Sequence, residues 1–189
     1  MEGNGTLKLA FIGSHGVGKT TLAFGLAARL KARDVSLDVV HEVARRCPLP
    51  INEATSVASE GWILHTQIAE EVIAAARYPL VLCDRSALDN YVYLLLAAGR
   101  QPGLDEFVEH WMQTYDLLVH VPIVADPSPD GLRAVDPVYQ QAVEERLTRE
   151  LAARALQALR LHEAPRASWL DLVERRVWSA VAPAQLELL

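Results

Sequence analysis

The fold of this 189-residue chain is decided near its start, by the stretch Leu7-Lys8-Leu9-Ala10-Phe11-Ile12-Gly13-Ser14-His15-Gly16-Val17-Gly18-Lys19-Thr20. Its first part is mostly apolar, which is typical of a buried strand, and Leu22, Leu26 and Leu30 follow at helical spacing. Between them, residues 13–20 match the pattern of a glycine, any four residues, and Gly-Lys-Thr. The stretch therefore predicts a strand, a glycine-rich turn and a helix in succession.

This turn, the P-loop, predicts a binding site for phosphate. Glycines allow successive backbone N–H groups to converge on an anion at the start of a helix. We expect Lys19 to contact the β- and γ-phosphates and the Thr20 hydroxyl to bind Mg²⁺, which prefers oxygen ligands. ATP, or a similar nucleoside triphosphate, and Mg²⁺ are the predicted cofactors. The predicted nucleotide-binding residues are Gly13, Ser14, His15, Gly16, Val17, Gly18, Lys19, Thr20 and Thr21.

Further along the chain, strand-like and helix-like segments alternate. Short apolar runs typical of strands occupy residues 37–41, 80–83, 117–121 and, more weakly, 168–173. Segments of helical composition occupy residues 61–77, 89–98, 104–114 and 137–162. Such alternation predicts a parallel sheet with helices on both faces, and ligands at the carboxyl ends of the strands. Because no repeat or linker divides the chain, we predict one domain over residues 1–189.

One segment interrupts this alternation. Asp126-Pro127-Ser128-Pro129-Asp130-Gly131 is rich in turn-forming residues, and we predict a loop or small lid over residues 126–137. Arg133 lies in this segment, where it could stabilise charge on a transferring phosphoryl group, or extend over the surface as a lone arginine.

Two acidic residues directly follow predicted strands. Asp84 is a candidate Mg²⁺ ligand, with a helix N-cap or an ion pair as the alternative. Arg85 beside it could bind a substrate phosphate or pair with Asp84. Glu42 could orient or deprotonate an acceptor hydroxyl, or it could be a solvated glutamate paired with Arg45. The predicted catalytic residues are thus Lys19, Glu42, Asp84 and Arg133, with Glu42, Arg45 and Arg85 binding substrate and Thr20 and Asp84 binding metal.

Composition and charge limit the classes of partner that this protein could bind. The net charge of −6 disfavours nucleic acid, because binding to a phosphate backbone depends on Lys and Arg. The polar N-terminus and the lack of a long apolar run favour a cytoplasmic protein without a membrane span. Cys47 and Cys83 match no paired metal-ligand spacing. We expect a monomer or homodimer that binds a nucleoside triphosphate and a small-molecule acceptor.

Together, these motifs resemble those of small P-loop kinases of nucleosides and nucleotides, and of AAA-type ATP-binding proteins related to nicotinamide riboside kinase. The resemblance rests on residues 13–21, 42–45, 84–86, 88–91 and 130–137, and it extends over most of the chain. It implies a three-layer P-loop NTPase fold with a five-stranded parallel sheet and a lid. It also implies Mg²⁺-dependent transfer of the γ-phosphoryl group of ATP to a small acceptor.

Two functions of different classes fit these predictions. The first is a kinase that phosphorylates a hydroxyl- or phosphate-bearing small molecule, most simply a nucleoside or nucleotide. The second is a nucleotide-dependent switch or ATPase whose surface a partner reads. A Ras-like GTPase is disfavoured because the sequence has no Asn-Lys-x-Asp segment.

Overall fold

Five parallel strands form the centre of this protein, whose computed structural model describes residues 5–51, 54–125 and 136–186. The strands are β1 (Leu7–Ile12), β2 (Asp38–Val40), β3 (Leu80–Cys83), β4 (Leu117–His120) and β5 (Leu159–Arg160). They lie side by side in the order β2-β3-β1-β4-β5, and each neighbouring pair is parallel. The predicted α/β fold with a five-stranded parallel sheet is confirmed.

Six α-helices of the described residues cover the two faces of this sheet. They are α1 (Lys19–Lys31), α2 (Val57–Ala75), α3 (Ala87–Ala97), α4 (Pro102–Met112), α5 (Pro137–Ala153) and α6 (Trp169–Leu186). Side chains of a strand alternate between faces, so Leu9 and Phe11 pack with α1 and α6, whereas Ala10 and Ile12 pack with α2 to α5. Burying a side chain the size of leucine stabilises a fold by about 1.5–3 kcal/mol. Two apolar layers therefore hold the central strand in place.

The predicted fifth strand at residues 168–173 is wrong, because α6 begins at Trp169. Trp169, Val173 and Val177 recur every four residues and are buried in the layer shared with α1, so this segment has the helical period. The actual fifth strand, β5, has two residues and lies within the region predicted as a long helix. That helix ends earlier, near Ala155, which has a left-handed φ of 52°.

The strand order brings the ends of β1, β2 and β3 to one edge of the sheet. Ala10 and Val40 both pair with Cys83, so β3 lies between the other two strands in register. The P-loop, Glu42 and Asp84 follow these three strands and therefore meet at the same edge, as the sequence predicts. Among the described residues, no helix has both the length and the apolar character needed to cross a bilayer.

The predicted lid lies largely outside the described residues. Arg133 belongs to that part, so its role remains a prediction. The described chain resumes at Asp136, whose side chain accepts a hydrogen bond of 2.9 Å from the Val138 N–H and caps the start of α5.

Candidate active site

The P-loop adopts a backbone that requires its glycines. Gly13 has a φ of 141°, and a Cβ atom there would lie 2.4 Å from the carbonyl oxygen of Val121. Gly16 and Gly18 also have positive φ, at 76° and 96°, and α1 begins directly after Gly18. Only glycine combines the left-handed conformation with this close approach of two backbones. The loop is thus shaped by its sequence to lead into the N-terminus of a helix, where anions bind.

Lys19 lies buried beneath this loop. Its Nζ atom donates hydrogen bonds to the carbonyl oxygens of Gly13 at 2.7 Å and Ser14 at 2.6 Å. Burial and the positive charge of Arg85 lower the pKa of Lys19 to about 8. The ammonium group still carries its proton in most molecules at neutral pH, and a phosphate anion nearby would favour that charged form further.

Thr20 and Asp84 face each other at the start of α1. The Thr20 hydroxyl donates a hydrogen bond of 2.6 Å to Asp84 Oδ2, and Asp84 is buried. The N-cap of α3 is Ser86, so the alternative role of Asp84 as a helix cap is wrong. A hydroxyl and a carboxylate are ligands that fit Mg²⁺, which commonly binds one or two protein groups and completes its shell with water and phosphate. Consistent with this, the described residues contain no larger cluster of His, Cys, Asp and Glu for a metal.

Glu42 is a buried carboxylate bound by two arginines. Arg85 Nε donates to Glu42 Oε1 at 2.8 Å, and Arg45 Nε donates to Glu42 Oε2 at 2.8 Å. Burial alone raises the pKa of Glu42, but the charges of Arg85 and Lys19 outweigh it and lower the pKa to about 2. The predicted alternative of a Glu42 paired with Arg45 is therefore right about the partner and wrong about solvation, because Glu42 is buried. The alternative pairing of Arg85 with Asp84 is wrong, because Arg85 pairs with Glu42.

A network of buried hydrogen bonds supports the backbone of Arg85. Arg85 has a positive φ of 128°, which is unfavourable for a residue other than glycine, and its guanidinium lies 5.2 Å from the centre of the Tyr93 ring. Gln67 Nε2 donates 2.9 Å bonds to the Arg85 carbonyl oxygen and to Glu71 Oε1, while Asn90 donates to Gln67 Oε1. Gln67 thus supports the site through the backbone of Arg85.

Asp89 joins the P-loop to α3. Its Oδ1 atom accepts a hydrogen bond of 2.9 Å from the Gly13 N–H, and its Oδ2 atom accepts bonds from the N–H and hydroxyl of Ser86. Asp89 was not among the predicted site residues. The spacing Ser-x-x-Asp at the start of a helix was the available signal, since it predicts a capping box.

The start of α5 contacts the P-loop from the other side. The Ser14 hydroxyl donates to the Gln140 carbonyl oxygen at 2.8 Å, and Gln140 Nε2 donates to the His15 carbonyl oxygen at 2.7 Å. The helix that follows the predicted lid is therefore hydrogen-bonded to the loop. Thr21, by contrast, is exposed on α1.

Two adjoining cavities occupy this edge of the sheet. The first, which we call the P-loop cavity, has a volume of about 200 Å³ and is lined by Gly16, Val17, Gly18, Lys19, Thr20, Glu42, Asp84 and Arg85. The second, which we call the adjoining cavity, encloses about 420 Å³, part of it open to solvent. It is lined by His15, Glu42, Ala44, Arg45, Ile51, Glu60, Ile63, Arg85, Asn90 and Tyr93. Glu42 and Arg85 line both cavities, so a group bound in either one meets the same two side chains.

The adjoining cavity contains residues that our sequence analysis did not predict. Glu60 and Ile63 come from α2, and Asn90 and Tyr93 come from α3. These positions lie inside helices whose apolar periodicity predicts burial, so their sequence gives no sign that they face a cavity. Their role depends on how α2 packs against α3.

Comparisons with known proteins agree with this architecture. A family described as AAA domain matches residues 8–170. Deoxyadenosine kinase from M. mycoides with bound dATP superposes with a TM-score of 0.63 at 12% identity, covering 90% of this chain and 98% of that chain. The NadR protein in complex with NR gives a TM-score of 0.60 at 21% identity, covering 82% of this chain but only 45% of NadR. No curated protein sequence matches significantly. The resemblance to P-loop kinases inferred from the motifs is confirmed at the level of the fold.

Proposed function

We propose that this chain, which belongs to the AAA domain family, transfers the γ-phosphoryl group of ATP to a hydroxyl or phosphate group of a small acceptor. One observation carries the proposal: Glu42 and Arg85 line both the P-loop cavity and the adjoining cavity. Phosphoryl transfer requires the donor phosphate and the acceptor to be held side by side. Two cavities joined at a carboxylate and a guanidinium meet that requirement.

The residues of the P-loop cavity suit the donor phosphates. Backbone N–H groups of the loop and the Lys19 ammonium would bind the triphosphate, and Lys19 would stabilise charge as it moves toward the leaving group. Thr20 and Asp84 would hold Mg²⁺, which neutralises phosphate charge when bound. Arg133 is proposed as a further cation over the γ-phosphate.

Glu42 and Arg85 would align the acceptor. A carboxylate with a pKa near 2 is a weak base, so Glu42 is better suited to accept a hydrogen bond from the hydroxyl than to remove its proton completely. The loose transition state of phosphoryl transfer needs little base strength, which makes orientation the larger contribution. Arg85 and Arg45 add positive charge where the transferred group arrives.

A nucleoside or nucleotide is the acceptor we propose. The adjoining cavity combines apolar side chains with a few polar groups, which is the usual composition of small-molecule sites. Two proteins of the same fold, deoxyadenosine kinase and NadR in complex with NR, support an acceptor of this class.

The test is acceptor-dependent formation of ADP from Mg·ATP. The wild-type protein is assayed alone and against pools of nucleosides, including nicotinamide riboside, and nucleoside monophosphates. Stimulation by one pool is expected, together with loss of activity in Glu42→Gln. Glu106→Gln, which changes an exposed glutamate on α4, serves as the matched control. Tight ATP binding with no stimulation by any pool would contradict a kinase and favour a nucleotide-dependent switch.

A further inference from the structure

Glu60 stands out in the adjoining cavity because its carboxyl group is buried without a partner. Glu60 lies in the first turn of α2 and is 5% exposed. Its Oε2 atom has no hydrogen-bond partner among the residues that the structure describes. Glu71 on the same helix shows the usual arrangement, since both of its carboxylate oxygens accept hydrogen bonds.

Leaving a buried polar group unpaired is unfavourable by about 1–3 kcal/mol. In this protein Glu60 lines the adjoining cavity, where a bound ligand could provide the missing partner. The same cavity is lined by the apolar side chains of Ile51 and Ile63 and by the polar side chain of Asn90. A site that hydrogen-bonds one group of its ligand discriminates against molecules that lack that group.

The charged groups around Glu60 determine its protonation. His15 of the P-loop, Glu42 and Arg45 before α2, Arg85 after β3 and Tyr93 of α3 line the same cavity. Arg85 is the cation whose charge reaches Glu60, but its guanidinium is already bound to Glu42 at 2.7 Å. Burial therefore prevails over Arg85 and raises the pKa of Glu60 to about 8. At neutral pH this side chain is a carboxylic acid with a proton to donate.

We propose that Glu60 selects the acceptor by donating a hydrogen bond, as an uncharged carboxylic acid, to an uncharged accepting group of the molecule in the adjoining cavity. A carbonyl oxygen or ring nitrogen of a nucleoside base has this chemistry. A cationic base would instead require the ionised carboxylate. The inference rests on the proposed kinase function and narrows its acceptors to uncharged nucleosides.

The substitution Glu60→Gln distinguishes an uncharged acceptor from a cationic one. Its amide has nearly the shape of a carboxylic acid, donates a hydrogen bond and carries no charge at any pH. Glu60→Gln therefore preserves the contact with an uncharged acceptor and removes the charge that a cationic acceptor would need. Glu60→Ala removes both. Glu70→Gln is the control on the same helix, because Glu70 pairs with Arg46 outside the cavity.

The experiment measures KM and kcat of the wild type and the three variants between pH 6.5 and 9.5. The acceptors are adenosine and cytidine, which are uncharged in this range, and nicotinamide riboside, which is cationic. For the uncharged acceptor used by the wild type, KM should rise about tenfold between pH 7 and pH 9, as Glu60 ionises. Glu60→Gln should keep the wild-type KM at pH 7 within about threefold and lose the pH dependence, while Glu60→Ala should raise KM about tenfold or more.

Folding is controlled separately: all three variants should unfold cooperatively on heating and bind ATP with wild-type affinity. If the wild type phosphorylates an acceptor but Glu60→Gln loses more than tenfold in kcat/KM, or Glu60→Ala behaves as wild type, the inference is overturned and the kinase function stands. Preference of the wild type for nicotinamide riboside would overturn it equally. If the wild type phosphorylates nucleoside monophosphates but none of these nucleosides, the inference is overturned and the kinase function stands. If it phosphorylates no nucleoside and no nucleoside monophosphate, the proposed function falls, and the inference falls with it.

Discussion

Replacing Glu60 by Gln should change how the stability of this protein depends on pH, even without any ligand. In the unfolded chain the Glu60 carboxyl titrates near its usual pKa of 4.5, whereas in the folded protein burial raises that pKa to about 8. Because the folded pKa is the higher one, the stability contributed by Glu60 is fully present below pH 4.5. It is lost progressively as the pH rises through about 8. Glutamine does not titrate, so the variant lacks this loss.

The magnitude follows from the two pKa values. A tenfold difference in proton affinity corresponds to about 1.4 kcal/mol, so the full effect of moving from 4.5 to about 8 is roughly 5 kcal/mol. Of this, about 2 kcal/mol is already lost at pH 6, and about 3 kcal/mol more is lost between pH 6 and pH 9. For a protein of this size, a loss of about 3 kcal/mol lowers the Tm of the wild type by about 6–12 °C relative to that of Glu60→Gln.

The assay is urea or thermal denaturation of the wild type and Glu60→Gln at several values between pH 6 and pH 9. All other groups titrate equally in both proteins, so the difference between the two unfolding free energies isolates Glu60. We expect that difference to move in favour of Glu60→Gln by about 3 kcal/mol over this range. Parallel curves for the two proteins would show that Glu60 has an ordinary pKa in the fold, and our account of its buried acid would be refuted.

Three further substitutions test the site and its support. Gly13→Ala should weaken ATP binding at least tenfold, because its Cβ would lie 2.4 Å from a backbone oxygen. If calorimetry gives this variant the ATP affinity of the wild type, the described conformation of the loop is contradicted. Asp89→Asn should lower kcat several-fold by weakening the contact with the Gly13 N–H, and an unchanged kcat in a fully folded variant would argue against that link. Glu71→Ala should destabilise the protein by about 3–5 kcal/mol, because it leaves the buried Lys8 ammonium without its 2.8 Å partner; a loss under 1 kcal/mol in urea denaturation would refute this role.

The fold was largely predictable because its main signals are local. The P-loop pattern fixes a strand, a turn and a helix within residues 7–31, and the apolar runs of β3 and β4 are buried on both faces. The fifth strand was not predictable in this way. Two residues at the edge of a sheet leave no periodic pattern, whereas Trp169 and its neighbours carry the apolar content that suggested a strand.

The site could be predicted where chemistry follows directly from position along a strand. Asp84 and Glu42 were predicted because each directly follows an apolar strand, and ligands bind at the carboxyl ends of parallel strands. Asp89 and Glu60 were missed, because both lie in helices and reach the site only through tertiary packing. No single-sequence pattern distinguishes a buried glutamate that faces a cavity from one that is paired, as the contrast between Glu60 and Glu71 shows.

The proposed function requires that a phosphoryl group move from ATP to a small acceptor, and mass spectrometry of the acceptor detects that transfer. The protein is incubated with Mg·ATP and the nucleoside and nucleotide pools, and the products are compared with those of Lys19→Ala. We predict that one acceptor gains a phosphoryl group in proportion to the ADP formed, and that this product is lost in Lys19→Ala. ADP formed without any phosphorylated acceptor, or tight ATP binding with neither product, would contradict the proposed function.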